Sequence, residues 1–223
     1  MTGSLSSQLA QLLSGLGVTL QLTVVSTTLG IFLGLVLALL VSSPRKVVRW
    51  LAIAIVEFGR GAPTIVMLQL VYYGLPSVGI TLASMPAAWI ALGFTTAAYS
   101  SEIIAAALQA VPKSQRESAQ ALGLTSPQIL LRIVIPQAAR IAAAPLLGFA
   151  VQMFQATSLA FALSIPELLS QAYAIGSVTF DYLRILTLAG IIYAVVSIPL
   201  MRTVRRLELR WGSKGQRVPS RAA

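Results

Sequence analysis

The 223 residues are 57% hydrophobic and 10% charged, with mean hydropathy +0.84 and a formal net charge of +10. A soluble domain of this length carries about 25% charged residues, so the composition is that of a multi-pass membrane protein. Cysteine and histidine are both absent, which excludes disulfides, thiol chemistry, zinc sites built on those ligands and a histidine base.

The first residues, MTGSLSSQLAQLLSGLG, carry no basic side chain and lack a signal-peptide layout. Leu5, Leu9, Leu12 and Leu13 alternate with Ser and Gln, so residues 1–16 read as an amphipathic helix on the membrane surface or as a frayed terminus. A single membrane domain over 17–205 then opens with span one, Val18–Val41, which has no charge. Within it Ser26, Gly30, Gly34 and Ala38 recur every fourth residue and allow close helix approach, either within the chain or at a dimer face. Span two, Trp50–Gly74, is interrupted by Glu57, Arg60 and Pro63; span three, Pro86–Ala107, holds Glu102. Span four covers Ile141–Leu163 and span five Ile185–Met201, with Glu167, Asp181 and Arg184 in the polar excursion between them. A basic tail, 206–223, closes the chain.

The positive charge alternates between connections. Arg45, Lys46 and Arg49 follow span one; Lys113, Arg116, Arg132 and Arg140 lie between spans three and four; Arg202, Arg205, Arg206, Arg210, Lys214, Arg217 and Arg221 follow span five. Residues 1–44 and 61–101 are uncharged. Such a bias puts the basic connections in the cytoplasm, the N-terminus outside and the C-terminus inside. It accounts for the charge without nucleic acid as a partner.

The segment 112–136 is longer than a connector needs to be. Ser114-Gln-Arg-Glu117 has capping-box spacing, Gly123 suits a left-handed helix terminator, Ser126-Pro127 suits a restart, and Pro136 should end or kink the second helix. A pair of helices is expected, the first too short to be stable alone. Arg116, Gln115 and Gln120 should face the cytoplasm, and Ala119, Leu122 and Leu124 should offer an apolar face. Such a pair can cover the inner ends of the bundle or dock on a cytoplasmic partner.

Glu117-Ser118-Ala119, Gly123, Ile133, Ile135 and Pro136 stand in E-S-A-x3-G-x9-I-x-I-P spacing. This resembles the EAA motif of ABC importer permeases, E-A-A-x3-G-x9-I-x-L-P, with Ser118 and Ile135 as mild departures. VTLQLT at 18–23, Glu57-Phe-Gly-Arg-Gly-Ala-Pro63, Ala98-Tyr-Ser-Ser-Glu-Ile103, Val111-Pro-Lys113, Ala121-Leu-Gly123, Ile135-Pro-Gln-Ala138 and Pro166-Glu-Leu168 resemble the polar amino-acid subfamily, that of the histidine, glutamine, arginine and cystine permeases. The resemblance covers about 15–210.

It implies an all-α membrane protein of about five transmembrane helices with type I ABC importer permease architecture and a cytoplasmic coupling-helix pair. It implies a bacterial plasma (inner) membrane location and a second permease chain, identical or homologous. An extracytoplasmic binding protein would deliver the solute, and a cytoplasmic ABC ATPase dimer would dock on the EAA helix. Arg116, Glu117, Ser118, Ala119, Gly123, Ile133 and Pro136 are then the coupling residues. None of Lys46, Lys113 and Lys214 completes a GxxxxGK[ST] loop, so this chain is not expected to be an enzyme, and ATP and Mg would sit on the ATPase.

Charges and amides inside apolar spans are functional candidates because an unpaired polar group in lipid is costly. Glu57 and Arg60, three apart, can pair, lining the pathway or snorkelling at the inner interface; Glu102 can line the path or cap span three. Gln152, Gln155, Thr157 and Ser158 form a polar set in span four, facing the pathway or a neighbouring helix. Many relatives have Phe-Arg-Gly-Thr-Pro where this chain has Gly59-Arg-Gly-Ala-Pro63, and Lys-Asp-Thr-Ser-Leu where it has Gln155-Ala-Thr-Ser-Leu159. Loss of the Lys-Asp charges points to a neutral or zwitterionic amino acid or a closely related solute. The rival reading is an ATP-independent secondary transporter or channel, but such folds show internal repeats, and the two halves show none.

Overall fold

The computed structural model describes residues 5–212. Every element among them is helical: α1 Leu5–Val41, α2 Lys46–Gly61, α3 Thr64–Gln69, α4 Ser84–Ala110, α5 Lys113–Ala121, α6 Ser126–Ile129, α7 Ile135–Ala156, α8 Leu168–Thr179 and α9 Tyr182–Gly212. Leu5–Val41, Ser84–Ala110, Ser126–Leu163 and Tyr182–Leu209 are each long and apolar enough to cross a membrane; Lys46–Gly61 with Thr64–Val78 makes a fifth if the bent pair is one span. The bend there is 106°. Its cause is local: a residue before proline is pushed out of the helical region, and Ala62 sits at φ −81, ψ 132. Pro63 then starts α3, its carbonyl accepting from the Val66 and Met67 N–H groups at 2.9 and 3.1 Å.

Residues 5–16 of the expected surface segment are continuous with span one, and residues 1–4 lie outside the described residues. α1 is unbroken from Leu5, roughly 55 Å long at 1.5 Å per residue, against a hydrocarbon core of about 30 Å. Leu12 is fully buried with Leu168, Ala172, Ile175, Ile185 and Ala189, so the early turns are packed against α8 and α9. Arg184 donates to the Gln8 amide oxygen at 3.2 Å and pairs with Asp181 at 2.9 Å. At the other end of the chain, α9 runs on through 206–212, and the rest of the expected basic tail lies outside the described residues.

α1 and α4 run parallel and in close contact, which accounts for the small-residue stripe. Ser26, Gly30, Gly34 and Ala38 are all buried. A Cβ on Gly30 would overlap Thr96, and one on Gly34 would overlap Ser100. The Ser100 hydroxyl donates to the Gly30 carbonyl at 3.1 Å across this interface. The stripe serves packing within the chain. α7 returns antiparallel to α4, and α9 antiparallel to α7. The bundle therefore has two distinct ends: one carries α5, α6 and the C-terminal part of α9, the other the start of α1 and the start of α8.

Candidate functional site

At the α5 end, the helix pair forms with shifted caps. α5 begins directly after Pro112 with no side-chain cap, so Ser114 and Glu117 do not close the expected box. Gly123 does terminate it, at φ +79. Its N–H donates to the Gln120 carbonyl at 2.9 Å, and the Leu124 N–H to the Ala119 carbonyl at 3.2 Å. The restart is capped by Thr125 rather than Ser126: the Thr125 N–H donates to Gln128 Oε1 at 2.9 Å in a reciprocal capping box, with Pro127 in the first turn.

Pro136 neither ends nor kinks this helix. A π-turn, Leu130–Val134, joins α6 to α7, and the Ile135 N–H bonds the Leu130 carbonyl. The ladder is thereby reset one residue early. Pro136 then falls in the first turn of α7, where a missing N–H breaks nothing.

The faces of α5 also differ from the sequence expectation. Ala119 is buried in a cluster with Leu108, Val111, Ile129, Val134 and Ala138, and Ile133 and Leu124 pack against it. Leu122 points the other way and is 82% exposed. Gln115, Arg116 and Gln120 are exposed as expected, and so are Glu117 and Ser118. The Arg116 guanidinium also turns back along the chain: Nη2 donates to the Leu108 carbonyl at 2.9 Å.

The seven intramembrane polar residues separate into three groups. Arg60 pairs with Glu102 on α4 at 2.9 Å and more loosely with Glu57 at 3.5 Å. Its guanidinium lies 5.8 Å from the Tyr99 ring centroid, and the Tyr99 hydroxyl donates to the Arg60 carbonyl at 3.2 Å. Glu57, Arg60 and Glu102 border a small cleft of about 130 Å³ at the end of α2, next to the bend. Gln152 and Gln155 line a different and larger cavity of about 840 Å³ between α7 and α9, together with Ser197, Arg202, Arg205 and Glu208. Gln155 Nε2 reaches Ser197 Oγ at 3.4 Å. Thr157 and Ser158 join neither: their hydroxyls donate to the Phe154 and Gln155 carbonyls of their own helix at 2.7 and 2.8 Å. A hydroxyl satisfied one turn back needs no pathway or partner helix.

At the opposite end, Glu167 is fully buried. Its carboxylate caps α8, accepting from the Leu169 and Ser170 N–H groups at 2.9 and 2.7 Å, and it accepts the Tyr193 hydroxyl at 3.0 Å. The Thr19 hydroxyl accepts the Leu168 N–H at 3.1 Å. Glu167 thus ties α8 to α9, and Thr19 ties α1 to α8. Burial pushes the carboxyl pKa above its ordinary value, against the two backbone N–H groups and Tyr193, which pull it down. Sequence reading placed Glu167 in a polar excursion and missed this role. An acid directly before the apolar run Leu168-Leu169 was the available signal.

A family model for the binding-protein-dependent transport system inner membrane component matches residues 30–213. The chain belongs to that family. The permease is 38% identical over 187 residues to the probable amino-acid ABC transporter permease protein YckA of Bacillus subtilis, covering 83% of each chain. It is 33% identical over 190 residues to the arginine transport system permease protein ArtQ of the same organism, covering 85% of this chain and 87% of that one. Among solved structures, an amino acid ABC transporter crystallised with histidines superposes at TM-score 0.84 and 31% identity, over 94% of the permease and 100% of that chain. The inward-facing MetNI methionine transporter superposes at 0.70 with 23% identity, over 89% and 97%, a likeness of fold. The permease accordingly has the type I ABC importer fold.

Proposed function

We propose that this permease carries a neutral or zwitterionic amino acid, or a closely related small solute, across a bacterial inner membrane. Its N-terminus lies outside and its α5 end in the cytoplasm. ATP and Mg are bound by a separate ABC ATPase dimer that docks on α5. A second permease chain, identical or homologous, completes the pathway, and an extracytoplasmic binding protein delivers the solute. The basic clusters at the α5 end support the orientation. The named relatives support an amino acid as the solute, and Gln155-Ala156 in place of a Lys-Asp pair supports a neutral or zwitterionic one.

The observation that carries the docking reading is Leu122. A large apolar side chain is held 82% exposed beside a glycine turn, on a helix too short to stand alone, where an apolar groove on a partner would cover it. Ala119, Gly123, Ile133 and Pro136 hold the helix pair in shape around it, the exposed Glu117 and Ser118 meet the ATPase beside Leu122, and Arg116 acts from the α4 side. Gln152 and Gln155 in the large cavity are the leading pathway residues. The Glu57, Arg60 and Glu102 cluster borders the path at the bend of span two. Thr157 and Ser158 are not pathway residues in this reading.

A Leu122→Cys permease purified from membranes should cross-link to a co-purifying ATPase, and its uptake in proteoliposomes should be vanadate-sensitive. Uptake by the permease alone, driven by an ion gradient, would refute the assignment. Preference for arginine or glutamate with the matching binding protein would refute the neutral-solute reading.

A further inference from the structure

The passage from α4 into α5 has no helical continuity. Val111 is extended at φ −68, ψ 123, and Pro112 follows at φ −55, ψ 136. Proline forces its predecessor out of the helix, so the helical hydrogen-bond ladder is interrupted at this joint, although Val111 itself is buried. One side chain spans it. Arg116, eight residues on, turns back and donates Nη2 to the Leu108 carbonyl at 2.9 Å.

Leu108 lies in the last turn of α4, which ends at Ala110. Carbonyls in a last turn have no donor within their own helix and form the negative end of its dipole. A guanidinium there makes a charge-assisted bond, stronger than a neutral one. Beneath it, Ala119 is buried against Leu108 and Val111, so α5 is attached to α4 by a bond and a packed face.

The other end of α5 is built differently. Gly123 is left-handed, and a Cβ there would meet nothing within 4 Å. Across that turn Ala119 also packs with Ile129 of α6 and with Val134 and Ala138 beyond it, so apolar contact and the backbone bonds of the turn hold this side, where the α4 side adds the arginine bond.

Resting on the reading of α5 as the ATPase-docking helix, we propose that Arg116 is a positioning residue that makes α5 and α4 move as one body. A displacement applied at Leu122 then passes to α4 through the Arg116 bond, in addition to the apolar contacts that Ala119 makes with α6 and α7. α4 is the helix that carries Glu102, the partner of Arg60 at the bend of the second span, and it is packed along α1 through Gly30 and Gly34. Arg116 thereby acts on the bundle and not on the ATPase, unlike the exposed Leu122.

The test uses the whole complex, purified with its own ATPase and reconstituted with its binding protein. Arg116→Met should lower ATP-driven uptake about tenfold, the equivalent of one charge-assisted hydrogen bond. The KM for ATP should not change, and the ATPase should still co-purify in full. Arg116→Lys, which keeps the charge, should recover part of the loss. Arg116→Gln supplies the same readout if the methionine variant fails to reach the membrane. Undiminished uptake in Arg116→Met overturns the proposal. Loss of the co-purifying ATPase does so too, because Arg116 would then be a docking residue. A lysine variant as poor as methionine overturns the electrostatic basis. Cross-linking of Leu122→Cys to the ATPase separates the two levels: no cross-link in an active complex sinks the docking reading and this proposal with it. A cross-link together with undiminished uptake in Arg116→Met sinks this proposal alone.

Discussion

The two ends of the bundle are held together in opposite ways. At the α8 end a fully buried carboxylate accepts three hydrogen bonds and joins α8 to α9, the Thr19 hydroxyl ties in α1, and Leu12 and Leu168 pack beside them. At the α5 end a nine-residue helix rests on one buried alanine and one arginine bond, with an exposed leucine at its tip. Stability is concentrated at the first and is scarce at the second. A frame and a handle need different bonding, since an element that must move is drawn from the less stable parts of a fold.

That contrast makes graded predictions. The largest loss of stability is expected for Glu167→Ala, which orphans two backbone N–H groups and the Tyr193 hydroxyl in a buried site: about 3 kcal/mol or more, read as a lower unfolding temperature in detergent. Next is Gly34→Leu, which drives a side chain into Ser100 and should cost on the order of 2–3 kcal/mol, with poor recovery from membranes. Gly123→Val forces a branched residue into a left-handed conformation, about 1–2 kcal/mol. That loss is confined to the handle, so insertion should be intact while uptake falls. Leu122→Asp should sit at the bottom of the scale, within about 0.5 kcal/mol of the parent, yet abolish ATPase co-purification. If Leu122→Asp destabilised the permease as much as Glu167→Ala, the distinction between frame and handle would be wrong.

The frame also has a pH signature. Because the Glu167 pKa is raised in the fold, the protonated form is favoured there. Its stabilising contribution is present at low pH and lost as pH rises through the raised value, above about 4.3 for a free glutamate. Unfolding temperature should therefore decline across that window, and Glu167→Gln should flatten the decline.

Helices were legible because long uncharged runs admit little else, and Gly123 was legible because a left-handed terminator favours glycine. Caps were harder to place. Ser114 and Ser126 had the spacing, but Pro112 started α5 first and Thr125 outcompeted its neighbour by gaining Gln128 as a reciprocal partner. The polar set of span four read as one site because helical spacing cannot show where a hydroxyl donates; Thr157 and Ser158 were already satisfied one turn back. Arg116 is exposed as its sequence reading has it, but its bond to Leu108 was not legible, because an acceptor eight residues earlier has no sequence signature.

The π-turn at Leu130–Val134 bears on phase. One extra residue in a helical turn offsets everything on one side from the other by about 100°. The residues of α6 and those of α7 therefore belong to two different helical wheels, although they form one continuous rod. A single deletion between 130 and 134 would merge the wheels, swing Thr125 and the Gly123 turn around the axis, and return Pro136 to a position where its absent N–H is needed. Length in this short stretch, more than the identity of any residue in it, sets the direction in which α5 is presented.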